Sequence, residues 1–129
     1  MADIFISYSR EDRTRIEPIV EALRSVGISV WFDVSIGTGS QWDEEIEREL
    51  GEARAVLVCW SQISVRSKWV KTEANFALDQ NTLIPCLLDK CKLPLLFEFS
   101  QAEDLSGWNG AMDHPGWRKI VDRISKLLA

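Results

Sequence analysis

Ala53-Arg54-Ala55-Val56-Leu57-Val58-Cys59-Trp60 is the stretch on which the fold turns. A strand with one face in water alternates apolar and polar residues, whereas a strand covered on both faces reads as an unbroken apolar run. The apolar run is continuous rather than alternating, so Ala53 to Trp60 is read as a central strand of a parallel sheet with helices on both sides.

Downstream, 61–66 reads as a loop leading into Ser67-Lys68-Trp69-Val70-Lys71-Thr72-Glu73-Ala74-Asn75-Phe76-Ala77-Leu78-Asp79-Gln80. At about 100° per residue, Trp69, Val70, Ala74, Phe76, Ala77 and Leu78 share one broad arc, with Lys68, Lys71, Thr72, Asn75 and Asp79 opposite. Glu73 falls inside the apolar arc. A carboxylate there must be paired or stand at the lip of a cavity, because burying an unpaired charge is too costly. Trp69 lies one helical turn earlier, so an indole and a carboxylate look into the same space.

Upstream, residues 3–8 predict a buried first strand ending in the polar group Ser7, Tyr8, Ser9 and Arg10. Ile16, Ile19, Val20, Leu23 and Val26 repeat at helical spacing up to Gly27, a natural stop. Pro18 is awkward inside that repeat, so the regular helix is expected to begin near Glu17 or to follow a looser turn. Residues 28–32 predict the second strand. Residues 33–41, with Gly37 and Gly39, read as a loop whose glycine spacing completes neither a dinucleotide fingerprint nor a phosphate loop. Trp42, Ile46 and Leu50 then recur every fourth residue among acids, the pattern of a short amphipathic helix.

Residues 82–88 predict the fourth strand, in which Pro85 requires a bulge or an edge-like position. The last strand is expected in 93–99, with 103–108 a connection or one turn of helix. Trp117, Ile120, Val121, Ile124, Leu127 and Leu128 mark a closing helix. Right-handed crossovers between such elements place helices on both faces of a mainly parallel sheet.

The chain's 129 residues suit one domain with a real core, and 46% apolar with 27% charged residues is a soluble globular composition. A net charge of −5 argues against a nucleic-acid backbone as the main partner. The apolar runs fall far short of the roughly 20 residues that cross a membrane, and the first residues lack the pattern of a secretory signal. Cys59, Cys86 and Cys91 suit reduced thiols in a cytoplasmic protein. The single histidine, His114, stands before Pro115-Gly116 in turn-like sequence and reads as a surface residue; neither a histidine-rich metal site nor a Ser/His/Asp triad is expected.

Four separated pieces carry a resemblance: residues 3–9 with Asp12 behind them; residues 27–33; Ile36-x-x-Gly39-x-x-Trp42; and Ser67-x-Trp69-x-x-x-Glu73. Together and in this order they resemble a Toll/interleukin-1 receptor (TIR) domain of bacterial type, over almost the whole chain. The resemblance implies one flavodoxin-like α/β domain in three layers, a five-stranded sheet ordered 2-1-3-4-5, standing alone or as a module of a longer protein. A ligand crevice then lies at the sheet's reversal between the first and third strands. Ser7, Tyr8, Ser9 and Arg10 would border it on one side and Trp60-Ser61 on the other, with Trp69 and Glu73 reaching toward it.

The resemblance also implies chemistry: cleavage of the nicotinamide–ribose bond of NAD, with Glu73 catalytic. Ser7, Tyr8, Ser9, Arg10, Asp33 and Trp69 would contact substrate, while Ile36, Gly37, Gly39 and Trp42 would serve loop order and assembly. NAD is the substrate and no further cofactor or metal is implied. Nicotinamide leaves a pyridinium as a neutral molecule, so one carboxylate facing the developing oxocarbenium ion suffices, without a paired acid. Expected partners are other copies of the domain, and a sensor domain or protein that concentrates it in bacterial defence signalling. The 33–41 loop departs from the receptor-type Arg-Asp-x-x-Pro-Gly pattern, having neither arginine nor proline, which weakens an adaptor role more than an enzymatic one. The alternative is a non-enzymatic TIR module that works by protein contacts, including interference with host TIR signalling.

Overall fold

The computed structural model describes residues 2–32 and 44–129. Its centre is β3 (Ala55–Trp60), six residues with every side chain buried. Successive side chains point to opposite faces. Ala55, Leu57 and Cys59 therefore enter one core with Ile4, Ile6 and Ile84, and Val56, Val58 and Trp60 enter a second core with Phe5. β1 (Ile4–Ser7) and β4 (Leu83–Leu87) flank β3, and β2 (Val30–Trp31) and β5 (Glu103–Asp104) close the edges in the order β2-β1-β3-β4-β5, all pairs parallel. This is the flavodoxin-like order that the resemblance implied.

α1 (Arg13–Ser25) and α4 (Pro115–Leu128) cover the first core through Ile16, Ile19, Leu23, Trp117, Ile120 and Ile124. α2 (Glu44–Glu52) and α3 (Lys68–Gln80) cover the second through Ile46, Leu50, Val70, Ala74 and Ala77. The alanines of α3 let its backbone lie close to the sheet. Phe76 and Leu78, assigned by periodicity to the buried arc, are each 37% exposed at its rim. Among the described residues no helix is long and apolar enough to cross a membrane.

The structure corrects several local expectations. α1 begins at Arg13, so Pro18 lies inside the helix and exposed. The amide it lacks would have bonded the Thr14 carbonyl four residues back, and Thr14 is itself exposed, so water can take that role. Gly27 adopts φ +84, the left-handed conformation that stops the helix. Of the two alternatives expected for Pro85, the edge-like position is the one taken, and no bulge is needed. The Thr82 carbonyl and the Leu88 amide face β3, so by alternation Pro85 faces the other way, where β5 pairs only Cys86 and Leu87. The imino nitrogen thus stands opposite no ladder acceptor.

The last strand is not in 93–99. Leu95–Phe97 forms a 3-10 turn in which Phe97 packs on Trp60 at 5.3 Å between ring centroids, while Leu95, Leu96 and Phe99 remain exposed. β5 comes instead from Glu103–Asp104, whose pairing continues where the Leu105 amide donates to the Leu87 carbonyl at 2.8 Å. Main-chain hydrogen bonding, to which side-chain hydropathy is blind, decides that edge. His114 is not a plain surface residue either: half-buried, it caps α4, its Nδ1 accepting from the amides of Gly116 at 3.1 Å and Trp117 at 3.4 Å.

Candidate active site

α3 is preceded by Ser67, whose hydroxyl accepts from the Val70 amide and caps the helix. Two turns on, Glu73 faces the sheet at the carboxyl end of β1. There the Ser7 hydroxyl donates to Glu73 Oε1 at 2.6 Å. Ser7 is fully buried and Glu73 only 7% exposed. Burial raises the Glu73 pKa from the usual 4.5 to about 7, although the Ser7 hydrogen bond pulls the other way. The cause is the loss of hydration around the charged form, against which one hydroxyl is weak compensation. A carboxyl group poised near neutrality beside the reversal of a parallel sheet has the features of a functional acid.

The other residues singled out in the sequence are distributed unevenly. Trp69 is half-buried on α3, one turn before Glu73. Tyr8 follows Ser7 by one residue and so lies on the other face of the sheet, its ring tilted against Phe32 at 6.2 Å. Ser9 donates to Glu11 at 2.8 Å, a bond that lowers the Glu11 pKa, and Arg10 opens the exposed end of the Arg10–Asp12 3-10 turn. Asp33, Ile36, Gly37, Gly39 and Trp42 lie outside the described residues.

Two of the three cysteines belong to the core. Cys59 and Cys86 are buried thiols on neighbouring strands, 3.7 Å apart. The hydrogen bond from Cys86, together with burial, pushes the Cys59 thiol well above its usual range and keeps it protonated.

A polar network adjoins the site, and its centre received no role in the sequence reading. Asp12, 2% exposed, accepts a hydrogen bond from the Ser61 hydroxyl at the end of β3 and pairs with Arg15 at 3.4 Å. Arg15 also pairs with Asp89 at 2.6 Å and donates to the Leu88 carbonyl, while Asp89 accepts from the Gln62 amide at 3.1 Å. The Arg15 pair holds the Asp89 carboxyl below its ordinary range. Asp12 stood within a quoted motif, but an isolated acid ahead of a helix looks like any solvated residue; its burial depends on a partner 49 positions away.

The archaeal protein described as a probable 2' cyclic ADP-D-ribose synthase TcpO, from Methanobrevibacter olleyae, is 29% identical over 112 residues, 85% of this chain and 31% of that protein. The 2' cyclic ADP-D-ribose synthase BtTIR of Bacteroides thetaiotaomicron is 33% identical over 75 residues, 57% of this chain and 26% of that protein. The chain thus spans about a third or less of the length of these relatives. Among solved structures, the TIR domain of the Toll-related receptor TRR-2 from Hydra magnipapillata superposes with a TM-score of 0.79 at 20% identity, covering 97% of this chain and 99% of that one. A TIR-STING receptor from C. gigas in complex with 2',3'-cGAMP superposes with a TM-score of 0.77 at 23% identity, covering 97% of this chain and 40% of that one. At such identities these two structures establish the shared fold. The family model described as TIR domain matches residues 4–121, and the chain belongs to the TIR domain family.

Proposed function

We propose that this TIR domain cleaves the nicotinamide–ribose bond of NAD, with Glu73 as the catalytic carboxylate. The observation that carries the reading is the buried Glu73 carboxyl, held by Ser7 at the reversal of the sheet with its pKa near neutrality. Two relatives named as 2' cyclic ADP-D-ribose synthases support the same chemistry. In the reaction the bond from the ribose carbon to the pyridinium nitrogen breaks, and its electron pair leaves with neutral nicotinamide. The ribose carbon gains oxocarbenium character, which an ionised Glu73 stabilises. Water completes a hydrolysis to ADP-ribose, or a hydroxyl of the same molecule closes a cyclic isomer; in either case the nucleophile's proton is released to solvent. NAD enters as substrate, with no cofactor called upon. Trp69, one turn before the acid on the same helix, is the proposed aromatic contact, with Ser9, Arg10, Tyr8 and Asp33 as the remaining proposed substrate contacts.

In this reading the chain is one TIR domain, alone or within a longer cytoplasmic protein, and it becomes active by self-association through the 33–41 loop and Trp42, a sensor domain or partner concentrating it in bacterial defence. A contact role in its own right, including interference with host TIR signalling, is the second reading. The exposed Leu95, Leu96 and Phe99 favour it. The test is NAD consumption by wild type and Glu73→Gln at matched concentration and assembly state, with circular dichroism on the same samples. The enzyme reading expects turnover that the folded variant loses. Equal turnover rejects Glu73, and a clustered wild type that consumes no NAD favours the contact reading.

A further inference from the structure

We propose that Asp12 is a positioning residue for Glu73, clamping the segment that carries Ser7 to the turn that launches the helix carrying Glu73. The inference rests on the catalytic reading of Glu73. On one side, the Asp12 amide donates to the Ser9 carbonyl at 2.8 Å, two residues beyond Ser7 on the continuation of β1. On the other, its carboxylate accepts from the Ser61 hydroxyl, the first residue after β3. One residue thus holds both strand ends between which the sheet reverses.

From Ser61 to α3 the hydrogen bonding is continuous. Ser61 Oγ accepts from the amides of Ile63 at 3.2 Å and Ser64 at 3.0 Å. Ser64 Oγ accepts from the Ser61 amide at 2.7 Å and donates to the Cys59 carbonyl at 2.9 Å. The Ser67 amide donates to the Ser64 carbonyl at 2.9 Å, and Ser67 caps α3. A shift of the Ser61 turn therefore has no slack in which to dissipate before the helix, and it moves Glu73 relative to Ser7. Arg15, tied to Asp89 and the Leu88 carbonyl at the end of β4, braces Asp12 from behind. The 2.6 Å Ser7–Glu73 bond and the near-complete burial of the acid both depend on that register. Without the clamp, water enters beside Glu73 and its carboxyl returns toward ordinary behaviour.

The test reads Glu73 directly, by NMR titration of its side-chain carboxyl carbon, assigned by its absence in Glu73→Gln. In Asp12→Ala the Glu73 midpoint should fall by about one pH unit, since hydration restores the charged form. Asp12→Asn keeps an acceptor for Ser61 and should retain the wild-type midpoint. At matched assembly, kcat for NAD cleavage should fall roughly tenfold in Asp12→Ala while KM holds, the pattern of a misplaced catalytic group. A role confined to stability lowers the melting temperature without moving the midpoint. If Asp12→Ala does not fold, Ser61→Ala, which breaks the same link, is read in its place. An unmoved midpoint in the folded variant overturns the proposal, as does an unchanged kcat where Glu73→Gln is inactive. Retained turnover in Glu73→Gln instead rejects the catalytic reading, and the titration then stands as a separate result.

Discussion

Ser7 and Glu73, 66 positions apart in the chain, meet through a single 2.6 Å hydrogen bond between a strand end and a helix face. The acid is buried far enough that its pKa rises to about 7, and the serine is the partner that favours its ionised form.

Stability should carry the imprint of that burial. Glu73 holds its proton more tightly folded than unfolded, so its contribution is fully present below the unfolded value of 4.5 and is lost as pH rises through about 7. Glu73→Gln removes the titration while nearly preserving shape. Urea unfolding should find the two proteins similar near pH 4 and the variant more stable by up to about 3 kcal/mol at about pH 8. An acid retained only for structure predicts the reverse, a variant that melts earlier.

Turnover should follow the ionised carboxylate, rising with pH through about 7. Because the Ser7 bond lowers the Glu73 pKa, Ser7→Ala should move the midpoint of the rate profile upward. Losing the charge altogether in Glu73→Gln should cost on the order of 3–4 kcal/mol of transition-state stabilisation, roughly a hundredfold to a thousandfold in rate. A pH–rate series on the three proteins at constant ionic strength checks both statements.

Leu57 is fully buried in the middle of β3, opposite Ile6 and Ile84 on the neighbouring strands. Leu57→Ala should destabilise by about 2–5 kcal/mol, through lost transfer energy and the cavity left in a site that cannot collapse. Denaturant titration measures it directly.

Self-association should show as a specific activity that rises with protein concentration, in step with assembly seen by light scattering. Substitution of Ile36 or Trp42 should lower both. A flat activity profile in a protein that stays monomeric would remove assembly from the mechanism. If the copies associate head-to-tail, the contact need not close into a ring, and filaments are then an allowed product.

Local pattern alone determined much of this protein. The unbroken run from Ala55 to Trp60 predicted the central parallel strand, and helical spacing predicted α3 and α4, because strand and helix periods are written by near neighbours. Glu73 was legible for the same reason, as an acid out of place on an apolar arc. Tertiary structure alone decided its partner, its pKa and the clamp at Asp12, all of which depend on residues dozens of positions away and on the water excluded between them. It also decided β5, where apolar Leu95 and Leu96 stay exposed while Glu103 and Asp104 pair with β4. Hydropathy reports what a side chain prefers; which backbone segment lies within hydrogen-bonding reach of a sheet edge is settled only when the chain has folded.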